Sequence, residues 1–362
     1  MGSGISAIGS SNEVSNEGPE RLLRGSMGSG NFGITLRVCF LLLSCASPLA
    51  SANYPDNNPV DNSMGNVMAP IRPLSPEPSS SGTSDLKSWC AELGKTIIAL
   101  KWKIEPCGNI PWQIGGSSAQ GRPLVYADFG DKNAENTTLV LATVHGDEVT
   151  PLYLGIQLAH WLIENRGLVD KRRVIVAPLV NPDGFFRTPR TRMNARGVDI
   201  NRNFRTQDWQ KRALAAWKRR FKKDPRRFPG AEPRSESETL FQEDLIKKMK
   251  PQKILSIHSP LNHLDYDGPS PLSLSRFSTE YTQICEKLKR SLKAKSSGYY
   301  PGSLGNYAGR ELGIPTLTLE LPTAKPEKAA DYWKKFTHGI WTMIHFTVPS
   351  FATGKSTPKI GG

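Results

Sequence analysis

The sequence predicts an α/β fold, a single-domain α/β/α sandwich built on a mixed, mostly parallel sheet. Two observations carry that expectation. Short apolar runs rich in Val, Leu and Ile alternate with longer segments of helical spacing, and such alternation puts helices on both faces of a parallel sheet. The stretch 85–348, which is 264 residues long, is also comfortable for one hydrophobic core, and it contains no internal repeat.

The elements follow in order. Pro123–Asp128 and Thr138–Val144 are short, β-branched or aromatic runs bounded by polar residues, so they read as strands. Leu152–Leu162 has helical spacing, and Arg173–Leu179 reads as a third strand. Glu236–Met249 reads as a helix with Phe241, Leu245 and Met249 on one side. Ile254–His258 is a fourth strand, Glu280–Leu292 a helix, Thr316–Leu321 a late buried strand and Ala330–Phe346 a closing helix.

Outside this domain the chain changes character. The 38% hydrophobic and 22% charged content, with 32 Gly and 28 Pro in 362 residues, excludes collagen-like, disulfide-dense and polytopic membrane classes. After Arg37, the apolar run Val38–Ala50 is shorter than the roughly 20 residues needed to span a bilayer. It reads as the core of a signal peptide, with Ala50-Ser51-Ala52 favouring cleavage before Asn53. Residues 1–52 are thus an N-terminal extension and signal peptide, with Met27 a plausible true start. Export to a bacterial periplasm, or secretion, is expected, with no transmembrane span in the mature chain. Leu42-Leu43-Ser44-Cys45 offers a second reading, a lipoprotein anchored through Cys45. Residues 53–84, rich in Pro, Ser and Asn, read as a disordered linker, and 349–362 as a flexible tail. A monomer is the default expectation.

Three cysteines remain after signal cleavage. Cys90 and Cys107 would close a loop between the amphipathic stretch Leu86–Trp102 and the turn Pro106-Cys107-Gly108, leaving Cys285 free; the alternative is that all three are reduced. The net charge is +14, and Lys211–Arg227 carries nine Lys/Arg against one Asp. Such a run reads as a solvated helix face, or in an exported protein as a surface attracted to an anionic envelope. No zinc-finger, RNP or helix-turn-helix pattern accompanies it, so nucleic acid is not an expected partner.

The chemistry gathers at strand ends. His145-Gly146-Asp147-Glu148 follows the strand Thr138–Val144, and a His and a Glu three apart in a turn can bring two ligand atoms to one metal ion. Catalytic zinc takes three protein ligands and an open fourth position. Of the six histidines, His160, His338 and His345 lie inside helices, and His263 lies in a loop. His258 ends a strand, where ligands collect in α/β sheets, and is the candidate third ligand.

Asn181-Pro182-Asp183-Gly184 and the run Arg192–Phe204, RMNARGVDINRNF, come next. Together with HGDE, SIHSP around His258 and TLELP around Glu320, they resemble the zinc carboxypeptidase family, the funnelins, over roughly Gly115–Trp341. SSAQGRPL (117–124), PGAEPRSESET (229–239) and 298–322 look like the family's murein peptide amidase group, whose members cleave between D-glutamate and diaminopimelate in cell-wall peptides. The resemblance implies one zinc ion on His145, Glu148 and His258, Glu320 as general acid/base and Arg192 as the oxyanion's cation. It also implies Asn201 and Arg202 as the clamp for a substrate carboxylate, and Tyr300 or Tyr299 as a mobile tyrosine. Leu304, with Gly305 and Asn306, would line a side-chain pocket carrying no acidic group, which disfavours a basic-residue carboxypeptidase. Asn262, Asp265 and Arg310 are polar candidates without an assigned place.

Bland alternatives stand beside these roles: Arg192, Arg196 and Arg202 as surface charges, Asn201 as a turn residue, Glu320 as a structural partner of Arg310. The resulting expectation is an exported zinc hydrolase of peptidoglycan peptides, as amidase or carboxypeptidase. A general metallocarboxypeptidase, an N-acyl amino acid deacylase of the same fold and a non-catalytic cell-wall binding protein are the other readings.

Overall fold

In the computed structural model, residues 82–268 and 300–348 are described. The extension, linker residues 53–81, the tail, Cys45, Cys285, Tyr299 and the expected helix Glu280–Leu292 lie outside them, while 82–84, expected in the linker, open the first helix. Seven strands form one sheet: β1 (Trp112–Ser117), β2 (Pro123–Gly130), β3 (Asn136–Ala142), β4 (Arg172–Ala177), β5 (Lys253–His258), β6 (His263–Asp267) and β7 (Thr316–Glu320), in the order β1-β2-β4-β3-β5-β7-β6. The central strands β4, β3, β5 and β7 are parallel, as expected, and β1, β2 and β6 pair antiparallel at the edges. Two of those edge strands, β1 and β6, escaped the sequence reading. WQIGGS carries two glycines and HLDYD alternates charged or polar groups, so neither shows the apolar run of a central strand. His263, expected in a loop, opens β6.

Helices cover both faces. α1 (Gly82–Ala99), α2 (Thr150–Glu164) and, at the end of the chain, α6 (Ala329–His345) bury Trp89, Leu93, Leu152, Ile156, Phe336 and Ile340 in a core with Val140, Val174, Leu255, Ile257, Leu317 and Leu319. The second core joins Leu139, Leu141, Ile175 and Ile254 to Phe241 and Leu245 of α5 (Ser237–Met249), and to Ile200, Phe204, Leu304 and Ala308. α3 (Pro182–Phe186) and α4 (Trp209–Arg219) complete the helices used below.

Alternation along each strand decides what faces the site. Leu255 and Ile257 of β5 point into the first core while Ile254 joins the second, so Ser256 and His258 belong to the second face. Leu317 and Leu319 of β7 likewise assign Thr318 and Glu320 to that face. The parallel register pairs His258 with Glu320, which sets them side by side at the carboxyl ends of neighbouring strands.

Cys90 and Cys107 are bonded, fastening α1 to the segment before β1 across a sequence separation of 17. Closing a loop of that length restricts the unfolded chain by about 3 kcal/mol. Replacing both cysteines by serine should therefore lower unfolding stability by about 3 kcal/mol in denaturant titrations, and a reductant should produce the same loss in the unmodified protein.

Candidate active site

His145 and Glu148 leave the end of β3 in a turn that the neighbouring turn holds in place. A Cβ on Gly146 would lie 2.1 Å from the Gly184 carbonyl carbon and 2.3 Å from the Phe185 nitrogen. A Cβ on Gly184 would in turn meet the Met193 and Thr191 carbonyl oxygens at 2.5 and 2.8 Å. Asn181 caps α3 by accepting from the Gly184 N–H at 2.9 Å and donates to the Arg192 carbonyl at 3.1 Å. HGDE, NPDG and the irregular run around Arg192 are therefore one packed unit in which backbone touches backbone. Asp183 extends it, accepting from Ser118 Oγ, the Gln120 N–H and Arg122.

Within that unit the three expected ligands converge. Glu148 Oε1 is 2.7 Å from His145 Nδ1, Glu148 Oε2 is 3.0 Å from His258 Nδ1, and the two Nδ1 atoms are 3.2 Å apart. All three side chains are buried. Burial alone would raise the Glu148 carboxyl, yet the two imidazoles outweigh it and hold that group well below the usual carboxylate range. Each outer imidazole nitrogen has its own partner: Asp199 Oδ1 lies 3.1 Å from His145 Nε2, and Ser256 Oγ 2.9 Å from His258 Nε2. An ionised carboxylate only accepts, so the His145 proton sits on Nε2 and its Nδ1 lone pair faces inward. Two imidazoles and a carboxylate, oriented from behind and meeting at one point, fit the donor set of catalytic zinc.

Asp199 is the functional residue that sequence reasoning passed over. It is fully buried and, besides His145, accepts from Arg192 Nε at 2.9 Å and from the Asn201 N–H at 3.1 Å. Burial opposes its charge, but Arg192, His145 and Arg202 together keep its carboxyl far below the ordinary range. Its letter stands in DINRNF, but nothing in that run of mostly polar residues marks which of them is buried among partners.

Arg192 is largely covered rather than superficial, its side chain 14% exposed; its Nη1 reaches Glu148 Oε1 at 3.2 Å and His145 Nδ1 at 3.1 Å, which places a cation beside the ligand atoms. Arg196, by contrast, has a half-exposed side chain, with its nearest acid, Glu236, 3.6 Å away. Arg202 is buried, its Nε has no partner, and burial lowers its pKa to about 10. Its guanidinium lies 4.5 Å over the Tyr300 ring. Asn201 is more than a turn residue, since its Oδ1 accepts from the Leu304 N–H at 2.8 Å and so ties the clamp to the pocket wall. Asn203, two residues on, donates to the carbonyls of Pro229 and Glu232, which anchors the PGAEPRSESET segment to the same motif.

Glu320 stands at the end of β7 and accepts from the Leu261 N–H at 3.3 Å. Burial first, and the nearby Glu148 charge after it, push its pKa up to about 7. It does not pair with Arg310, because Arg310 Nε donates to Asp267 at 3.0 Å.

One cavity of about 580 Å³ is lined by His145, Glu148, His258, Glu320, Arg192, Asn201, Arg202, Tyr300 and Leu304. Leu304 and Gly305 line the cavity without bringing an acid to it, but Asp265, named above without a place, and Asp267, which was not named, line it from β6, and Asp267 packs so closely on Gly305 that a Cβ there would meet its Oδ2 at 1.9 Å. Their position could not be read because β6 itself was not legible. Asn262 does not line the cavity.

A buried ligand triad at the carboxyl ends of parallel strands, beside a carboxyl group tuned towards neutrality, defines a metal-dependent hydrolase. The chain belongs to the zinc carboxypeptidase family, which matches residues 111–347. It is 28% identical over 222 residues to murein peptide amidase A of Escherichia coli K12, covering 60% of this chain and 83% of that one. It is also 28% identical over 209 residues to murein peptide amidase A of Vibrio campbellii, covering 57% and 77%. Carboxypeptidase A from Helicoverpa armigera shares the fold, with a TM-score of 0.52 at 19% identity over 73% of each chain. The protein is thus a zinc-dependent hydrolase.

Two substitutions test how the site is held. Gly146→Ala should separate the HGDE and NPDG turns and reduce zinc content at purification, measured by atomic emission. Asp199→Ala should weaken zinc binding by about 10–100-fold in chelator competition, the usual cost of losing such an outer partner.

Proposed function

We propose that this hydrolase is exported and cleaves the amide bond before a C-terminal residue with a free carboxylate, acting on the γ-D-glutamyl-diaminopimelate bond of peptidoglycan peptides. The observation that carries the reading is the joining of ligand triad, Glu320 and the Asn201/Arg202 clamp in one cavity. The relatives named murein peptide amidase A support the choice of substrate. The Cys90–Cys107 bond supports export, because disulfides persist in oxidising compartments.

His145, Glu148 and His258 would hold the zinc, which when bound supplies Lewis-acid chemistry, making a water acidic near neutral pH and polarising a carbonyl. The chain's own groups do the rest. Arg202, with an unpartnered buried donor, takes the terminal carboxylate, and its planar fork suits that group better than an ammonium would. Asn201 assists and holds the Leu304 wall in register. Glu320, near neutrality, accepts the proton of the attacking water and returns it to the leaving nitrogen. Arg192, fixed by Asp199, offers a cation to the developing oxyanion, a contribution of about 3–4 kcal/mol in comparable sites. Asp265 and Asp267 offer acceptors to the ammonium group of a diaminopimelate side chain.

A cell-wall tripeptide ending in diaminopimelate should release the free diamino acid, seen by mass spectrometry, with release abolished by a chelator and restored by zinc. Glu320→Gln should lower kcat by at least about 100-fold with zinc content and KM retained. An intact tripeptide after incubation with zinc-loaded protein would remove the peptidoglycan assignment, and an active Glu320→Gln variant would remove the role given to that residue.

A further inference from the structure

The basic stretch Lys211–Arg227 divides in the structure. α4 carries its first half, anchored by Trp209, whose indole donates to the Arg202 carbonyl at 2.8 Å. Beyond α4 the chain reverses at Lys222 and Lys223, both left-handed, and the turn Pro225–Arg227 brings Arg226 and Arg227 to the lining of the catalytic cavity. Arg226 Nη2 is 2.7 Å from Asp147 Oδ2, on the turn that presents His145 and Glu148. Arg227 lies over the Phe221 ring, and its ion-pair partner Asp224 is 3.8 Å away.

These two guanidinium groups differ in depth from the clamp. Their side chains are 52% and 38% exposed, whereas Arg202 and Leu304 are buried. A substrate held by its terminal carboxylate at Arg202 lies with its leaving residue deep, so its acyl portion trails outward past the rim. In an α-linked peptide that portion carries a charge at such a distance only where its side chain is itself acidic. A γ-linked acidic residue has a free α-carboxylate only three carbons from the scissile carbonyl.

We propose that Arg226 and Arg227 form a second carboxylate-recognition position, on the acyl side of the scissile bond, which reads the free α-carboxylate of a γ-linked acidic residue. The inference rests on the amidase reading above and adds to it the means by which an acidic acyl residue is distinguished from a neutral one. Asp147 engages one nitrogen of the Arg226 fork and steadies it; exposed pairs of this kind contribute little, so sharing the fork with a substrate carboxylate is inexpensive. An incoming dianion also relieves the mutual repulsion of Arg192, Arg202 and Arg227, a crowding already visible in the lowered pKa of Arg202, for which burial is the larger cause.

The test measures kcat/KM for two tripeptides that differ only in whether the α-carboxylate of the γ-glutamyl residue is free or converted to its carboxamide. The full-length zinc enzyme should favour the free acid by about tenfold to a hundredfold, the range expected of hydrogen bonds to a charged group. R226Q/R227Q should bring the ratio close to one, and R226K should retain part of it. Equal cleavage of both tripeptides by the unmodified enzyme overturns the proposal while leaving the amidase reading intact. A preference that persists in R226Q/R227Q also overturns it. Cleavage of neither tripeptide removes the amidase reading, and the inference falls with it.

Discussion

The site depends on one buried carboxylate, that of Asp199. Its two oxygens meet His145 Nε2, Arg192 Nε and the Asn201 N–H, so one group fixes a metal ligand, a cation beside the ligand atoms and the backbone that leads into Asn201 and Arg202. An ionised carboxyl away from water is tolerable only when its lone pairs are filled by oriented donors, and here the donors are the functional groups themselves. Each partner's orientation is thereby coupled to the others, which explains why the Arg192–Phe204 motif is dense in Asn, Asp and Arg although it is largely buried.

The sheet supplies the second constraint. Strand alternation sends apolar residues of β5 and β7 into the core beneath α2 and α6, and delivers Ser256, His258, Thr318 and Glu320 to the opposite face. Parallel pairing then sets His258 beside Glu320 without any loop having to find the geometry. Only the HGDE turn has to be positioned by tertiary contact, and the mutual approach of Gly146 and Gly184 does this with backbone atoms, leaving no side chain to shift.

What the sequence made legible follows from those constraints. The central strands, α2, α5 and α6 were readable because buried elements must show their period, and His145, Glu148, His258 and Glu320 were readable because they terminate such strands or open the turn after one. Tyr300 and Leu304, named through resemblance alone, line the cavity. β1 and β6 were not legible, since half-exposed edge strands need no apolar run, so Asp265 was named without a place and Asp267 was missed. Asp199 was visible as a letter in a motif, but its triple partnership is a product of packing and has no one-dimensional signature.

The basic run shows why charge is read poorly from sequence. Nine cations in seventeen positions read first as a solvated face and next as an envelope-attracted surface, because Coulomb attraction carries no address until the backbone assigns one. Trp209 supplies the address by anchoring the start of α4 beneath the clamp, and the reversal at Lys222-Lys223 turns the end of the run back over the cavity. The cavity is thereby layered in charge, with acids at Asp265 and Asp267, cations at Arg192 and Arg202, and further cations at the rim. A ligand that matches all three layers carries an ammonium on its side chain, a carboxylate at its terminus and another on the acyl side of the bond. Peptides with a neutral acyl residue meet at most two of those conditions beside the scissile bond, whereas an acidic acyl residue joined to a diamino acid meets all three.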